Sequence, residues 1–324
     1  MTGRFSSLNV WGSWTTDLMR DLTTNFTQSL SLAYFDRAYT LLLMVLAVVV
    51  AAAYAVRVKL KGRVRYDRVD RQGGSALLSK GLMEMAYWSM QPVARLLVFF
   101  HVTPNKISWA SLVFGLLAGA CLAYGHFGFG AGFAAVSGFL DSLDGMVARL
   151  TGVSSDAGEI LDATVDRYVE FFFVGGLVIY YREIPVLQIL ALLALIGSFM
   201  VSYSTAKAEA LHIEPPKGSM RRPERAVYLT LGAALSPLTI QMFETYRDFA
   251  VPVGHPMVMA LGLVAVVANV SAVERLWAVA KIIRIREQDA AEAKRLEAIA
   301  ALRASERTGH TPQVAPADHP ANGR

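Results

Sequence analysis

The 324-residue chain has one cysteine, Cys121, so no intrachain disulfide can form and a disulfide-stapled secreted fold is excluded. Charge is equally scarce. Asp, Glu, Lys and Arg make up 18% of the residues, where a soluble domain carries about a quarter. No period of about 20 to 50 residues recurs, which argues against a transporter built from paired halves. Residues 1–39 hold no compact apolar stretch, and Arg4, Asp17, Arg20 and Asp21 lie among them. A cleavable signal peptide is therefore not expected. What fills the chain instead is apolar: 54% of residues are hydrophobic, gathered into long blocks. Such blocks read as membrane helices, and they exclude a disordered chain.

The first uninterrupted block, Thr40 to Val56, approaches the roughly 20 residues a helix needs to cross the hydrocarbon core. Six more follow at about 107–124, 127–148, 159–181, 186–206, 226–243 and 257–280, separated by short polar or Pro/Gly breaks. Arg57, Lys59, Lys61, Arg63, Arg65 and Arg68 come directly after the first block and place the following segment in the cytoplasm. Threading the chain from there leaves only Arg182 and Arg247 in the outer breaks. Arg149, Lys207, Lys217, Arg221, Arg222 and Arg225 fall on the inner side. The N-terminus is thus expected outside and the C-terminus in the cytoplasm of a multi-pass cell-membrane protein. The net charge of +5 is explained by this topology and by anionic lipid, with no call for nucleic acid.

The predicted fold is all-α and polytopic. Residues 1–74 form an N-terminal extension with one span and a basic linker that breaks at Gly73-Gly74. Residues 75–100, where Leu77, Leu78, Leu82, Met85, Tyr87 and Trp88 alternate with Lys80, Glu84 and Arg95, fit an interfacial amphipathic helix. Residues 101–283 hold six spans. Residues 284–324 begin as a charged helix, with Leu296, Ile299 and Leu302 at helical spacing, and end from Thr308 in a Pro/Gly/Ala-rich tail expected to be disordered. His101, His126, His212 and His255 lie near span ends without metal spacing, and Trp88, Trp109 and Trp277 suit membrane boundaries.

Chemistry concentrates where the third span ends and the fourth begins. Asp141 and Asp144 are i and i+3, Asp162 and Asp166 are i and i+4, so each pair shares one helix face, and a hairpin brings the faces together. Carboxylates at a bilayer edge are functional by default, and unneutralised they would repel. Oxygen-only ligands favour Mg²⁺, Mn²⁺ or Ca²⁺. Gly145, Ala148 and Gly158 leave room beside these faces for a large ligand.

The full stretch reads D-x2-D-G-x2-A-R-x8-G-x3-D-x3-D, with all eight fixed positions filled from Asp141 to Asp166. In this it resembles the CDP-alcohol phosphotransferase (phosphatidyltransferase) family. Thr103-Pro104-Asn105 before the second span is similar to the opening of that family's first core helix. The resemblance implies a six-helix catalytic core and transfer of a phosphatidyl group from CDP-diacylglycerol to a polar alcohol, with CMP released. It implies that Asp141, Asp144, Asp162 and Asp166 bind two divalent cations, Mg²⁺ or Mn²⁺, and that Asp166 is also the general base. Asn105, Ser108, Gly145, Ala148, Arg149, Ser155 and Gly158 would line the nucleotide site, and a homodimer would be reasonable.

Tyr203-Ser-Thr-Ala-Lys207-Ala-Glu209 and Arg221-Arg222-Pro223-Glu224-Arg225 resemble the prokaryotic phosphatidylinositol phosphate synthase branch, which implies an inositol phosphate acceptor met by Lys207, Arg222 and Arg225. Thr205 stands where that branch often has a second basic residue. Glycerol phosphate, serine and free inositol remain alternative acceptors, and a cation transporter using the Asp cluster is the alternative of another class.

Overall fold

A computed structural model of the chain describes residues 8–63, 66, 79–153, 155–214, 220–243 and 251–308. Among these the secondary structure is helical, without strands: α1 (Leu8–Lys61), α2 (Lys80–Phe99), α3 (Pro104–Ala123), α4 (Phe127–Thr151), α5 (Asp156–Tyr180), a 3-10 turn (Tyr181–Glu183), α6 (Pro185–Ala210), α7 (Arg222–Phe243) and α8 (His255–Thr308). The Gly73-Gly74 break, Arg65, Arg68, Lys217, Arg247 and residues 309–324 lie outside the described residues.

Each expected apolar block falls within one of these helices, to within a residue at its end. Four segments, Leu32–Lys61, Pro104–Ala123, Pro185–Ala210 and His255–Ala304, are long and apolar enough to cross a membrane. The protein is a multi-pass membrane protein. Leu41, Leu42 and Val48 of α1 and Ile189, Leu192 and Ile196 of α6 are exposed, as lipid-facing residues are. Helices α4, α5 and α7 are of similar length but carry the Asp and Arg residues of the motifs.

The chain divides into two compact units. One comprises Met1–Tyr203 with Gly218–Ala272, the other Ser204–Lys217 with Val273–Arg324. Helix α1 belongs to the larger unit. The physical reason lies at the start of α4. Asp36 of α1 is buried and accepts hydrogen bonds from the backbone N–H of Gly128 (3.1 Å) and Phe129 (2.9 Å), satisfying two donors that the first turn of a helix leaves without partners. Gly128 and Gly132 let α1 approach: a Cβ at Gly128 would strike Asp36 and Thr40, and one at Gly132 would strike the Tyr39 ring. Tyr39 stacks on Phe129 with centroids 4.9 Å apart.

Within the larger unit, Leu122, Phe127, Val174, Leu177, Leu261 and Val264 form part of a fully buried core drawn from α3, α4, α5 and α8. Backbones of α3 and α5 touch. A Cβ at Gly119 would meet the Phe172 carbonyl, and one at Gly176 would meet the Gly119 carbonyl, the close approach that small residues permit between membrane helices. Ser111 of α3 and Ser137 of α4 exchange hydrogen bonds with each other's carbonyls at 3.0 and 2.9 Å. These contacts lock three helices side by side and bring the start of α3 against the α4–α5 hairpin. The smaller unit packs Ala208 and Ile213 against Val279.

Candidate active site

The α4–α5 hairpin turns at Gly152, whose φ of +70° is the left-handed conformation glycine adopts at little cost. Ser155 restarts the helix: its side chain accepts a hydrogen bond from the Gly158 N–H at 3.1 Å and caps α5. Two parallel faces of carboxylates result. One oxygen from each of Asp141, Asp162 and Asp166 lies within 4.8 Å of the others, close enough for a single cation to engage all three. Asp166 is buried, while Asp141 and Asp162 are half-buried.

Asp144 stands apart from this trio. It is buried, accepting a 2.5 Å hydrogen bond from the Ser108 hydroxyl of α3 and a 2.5 Å bond from the Gly145 N–H. Its fixed orientation ties α3 to the hairpin. Asn105, one turn before Ser108, is exposed, and its Oδ1 would lie 3.9 Å from a Cβ built on Gly158. Asn105, Ser155 and Gly158 therefore meet at one corner of the site, where the missing glycine side chain leaves space. Gly145 and Ala148 are half-buried, and Arg149 is exposed in the last turn of α4.

The arginines enter from α7. Its start is set by the sequence Arg221-Arg222-Pro223-Glu224: proline tolerates the first turn, and Glu224 reaches back to accept a 2.9 Å bond from the Arg221 N–H. That capped turn projects Arg222 onto the carboxylates, where it donates to Asp141 (3.3 Å) and to Asp166. Arg222 therefore supplies a positive charge inside the cluster, a link that the spacing of the motif does not reveal.

Arg225, one turn on, is fully buried. It donates to Glu170 at 3.0 and 3.3 Å and to the Ser198 carbonyl at 3.4 Å, while its Nη1 has no hydrogen-bond partner among the described residues. Glu170 thus joins α5 to α7, and most of the Arg225 guanidinium is committed to that joint. Lys207 lies exposed in the last turn of α6, in the smaller unit. In that same unit the sequence reading missed Arg275, which donates to Thr205 Oγ1 at 2.7 Å and places a guanidinium on the position that lacks a basic side chain. Its only sequence signal is the missing charge at Thr205. Four of the histidines stand at helix ends: His126 precedes α4, His255 opens α8, and His101 and His212 take the left-handed conformation just after α2 and α6.

The family model for CDP-alcohol phosphatidyltransferase matches residues 101–268, more than half of the chain and all of the elements that build this site. The chain belongs to the CDP-alcohol phosphatidyltransferase family. It is an enzyme of that class, and the added span and amphipathic helix lie before the matched region. Among its relatives, the phosphatidylinositol phosphate synthase of Cutibacterium acnes is 29% identical over 191 residues, which cover 57% of this chain and 92% of that protein. The Mycobacterium tuberculosis (strain H37Rv) enzyme of the same name is 32% identical over 198 residues, covering 58% and 84%. A crystal structure of the M. tuberculosis synthase with manganese and citrate superposes with a TM-score of 0.51 at 28% identity, over 59% of this chain and 88% of that one. One with CDP-DAG bound gives 0.50 at 27%, over 59% and 92%.

The donor set fits a hard divalent cation: three carboxylates converge with oxygen ligands only, and no thiol or imidazole belongs to the group.

Proposed function

We propose that the protein transfers the phosphatidyl group of CDP-diacylglycerol to a hydroxyl of an inositol phosphate and releases CMP. The observation that carries this reading is the convergence of Asp141, Asp162 and Asp166 with Arg222 on one spot. Asp166 takes the proton of the acceptor hydroxyl, whose oxygen forms a bond to the phosphorus bearing the diacylglycerol. The bond from that phosphorus to the oxygen of the CMP phosphate breaks. Two divalent cations, Mg²⁺ or Mn²⁺, held by Asp141, Asp144, Asp162 and Asp166, would supply Lewis-acid stabilisation of the charge developing on the phosphoryl oxygens. Ser108 and the Gly145 N–H keep Asp144 oriented. Asn105, Ser155, Gly158, Ala148 and Arg149 border the space for the cytidine nucleotide. Arg222 offers charge-assisted hydrogen bonds to the acceptor phosphate, and a planar guanidinium suits that task.

Purified protein given Mg²⁺ or Mn²⁺, CDP-diacylglycerol and, in turn, inositol phosphate, free inositol, serine and glycerol phosphate should yield a new lipid and stoichiometric CMP with inositol phosphate. Preferential use of another acceptor would overturn the acceptor assignment. Cation movement across proteoliposomes without CMP release would favour a transporter instead.

We infer that the N-terminus lies outside and the α4–α5 hairpin in the cytoplasm, a reading supported by the basic residues that the sequence puts in the breaks on the hairpin's side. With Cys121 replaced by Ala, a cysteine at Glu183 should react with an impermeant thiol reagent in intact cells and one at Glu159 should not. The reverse pattern would invert the topology.

A further inference from the structure

The junction between α1 and α2 plays no part in the chemistry above, yet it contains a cavity of about 480 Å³. Val49, Val50 and Ala53 of α1 form one wall, and Trp88, Gln91 and Arg95 of α2 lie on the other. None of the lining residues belongs to α3, α4, α5 or α7. The two helices are held together beside it by Tyr54, which lies against Trp88 with centroids 5.7 Å apart, and Tyr66, beyond the end of α1, lies against Tyr87 of α2 at 5.5 Å. The Tyr54 hydroxyl donates to Glu84 at 3.1 Å, so the buried carboxylate of this junction is already engaged.

What is left over is a set of donors. Arg57 Nη1 and the Tyr66 hydroxyl are buried without a hydrogen-bond partner among the described residues. Leaving such groups unsatisfied is costly, and in native proteins they usually mark a missing water, ion or ligand. Arg95 lines the cavity and makes no hydrogen bond or ion pair with a described residue. Arg57 lies one turn beyond Ala53 on the same face of α1, at the end of the cavity wall, and Tyr66 has Arg57, Glu84 and Arg95 as its charged neighbours. A ligand that answers this arrangement has anionic oxygens at one end and an apolar chain at the other. Free phosphate would leave the Val49, Val50 and Ala53 wall without a partner, and a neutral lipid would leave the buried Arg57 Nη1 and Tyr66 hydroxyl without one.

We propose that this cavity binds one anionic diacyl phospholipid, its phosphate taken by Arg57, Tyr66 and Arg95 and an acyl chain laid along Val49, Val50 and Ala53. The site is separate from the one where CDP-diacylglycerol reacts, and the bound lipid joins the added N-terminal span to the amphipathic helix.

The test is native mass spectrometry of the full chain, purified in detergent and supplied with equal amounts of dioleoyl phosphatidylglycerol and dioleoyl phosphatidylcholine. One phosphatidylglycerol should be retained in preference by about tenfold, the worth of one charge-assisted contact. The preference should vanish in an Arg57→Gln/Arg95→Gln variant and persist in part in Arg95→Lys, which keeps the charge. Ala53→Phe, which fills the apolar wall, should lower retention of both lipids. Inorganic phosphate at millimolar concentration should not displace the bound lipid. Equal retention of the two lipids, or an unchanged preference in the double Gln variant, overturns the proposal. So does lipid retention that Ala53→Phe leaves untouched. Because Arg95→Lys conserves charge and size, loss of preference there alongside an unaltered melting temperature would also count against a phosphate contact made by charge.

Discussion

An Asp166→Asn enzyme should release CMP about a hundred- to ten-thousandfold more slowly than the parent, the range expected when a positioned general base is removed. Asparagine keeps the size and planar shape of the side chain and still fits beside Arg222, but it cannot take a proton from the acceptor. Asp141 and Asp162 remain within reach of one another, so Mn²⁺ and CDP-diacylglycerol should still bind, more weakly than in the parent. Helix content and melting behaviour should hold, because the core of the larger unit is built from Leu122, Phe127, Leu177 and Leu261 and not from this carboxylate. The measurement is CMP release at saturating acceptor, with Mn²⁺ binding followed on the same sample. A near-normal rate would remove Asp166 as the base, whereas lost metal binding with lost turnover would make it chiefly a ligand.

How far the sequence reached can be judged at this same carboxylate. Asp162 and Asp166 lie four residues apart, and a helix of 3.6 residues per turn puts such a pair on one face whatever surrounds it. That local rule sufficed for both Asp pairs. It could not decide which carboxylates would converge across the hairpin, and Asp144 turned to Ser108 while the other three met. Seven apolar blocks were legible because the bilayer imposes their length. Helix α1 was not legible in full: it begins at Leu8, well before the apolar block, through a mixed polar stretch with no single hydrophobic stripe. Contacts between distant residues escaped for the same reason throughout. Asp36 caps a helix that starts 91 positions later in the chain, Arg225 pairs with Glu170, and Arg275 finds Thr205. Each depends on how helices pack, and a single sequence carries no periodic signal for that.

Arg222 is where packing most changes the chemical expectation, since the sequence offers it as a phosphate contact and the structure sets it between Asp141 and Asp166. Both roles follow from one guanidinium at the edge of the cluster. Before substrate binds, it offsets carboxylate charge that would otherwise be uncompensated. When a phosphorylated acceptor with about two negative charges enters, the same group can turn its donors to the phosphate. Arg222→Gln separates the two. Loss of a charge-assisted contact worth about 1.5–3 kcal/mol should raise the apparent KM for inositol phosphate roughly ten- to a hundredfold, with the KM for CDP-diacylglycerol little changed. Divalent cation binding should move the other way. Arg222 and a cation share Asp141 and Asp166, so removing the fixed positive charge should lower the Mn²⁺ concentration needed for half-saturation, measured directly by titration without acceptor. Free inositol, which lacks the phosphate, should lose no further activity in the variant. An unchanged acceptor KM would take Arg222 out of the acceptor site, and weaker Mn²⁺ binding would show that the arginine holds the carboxylates in place for the cation.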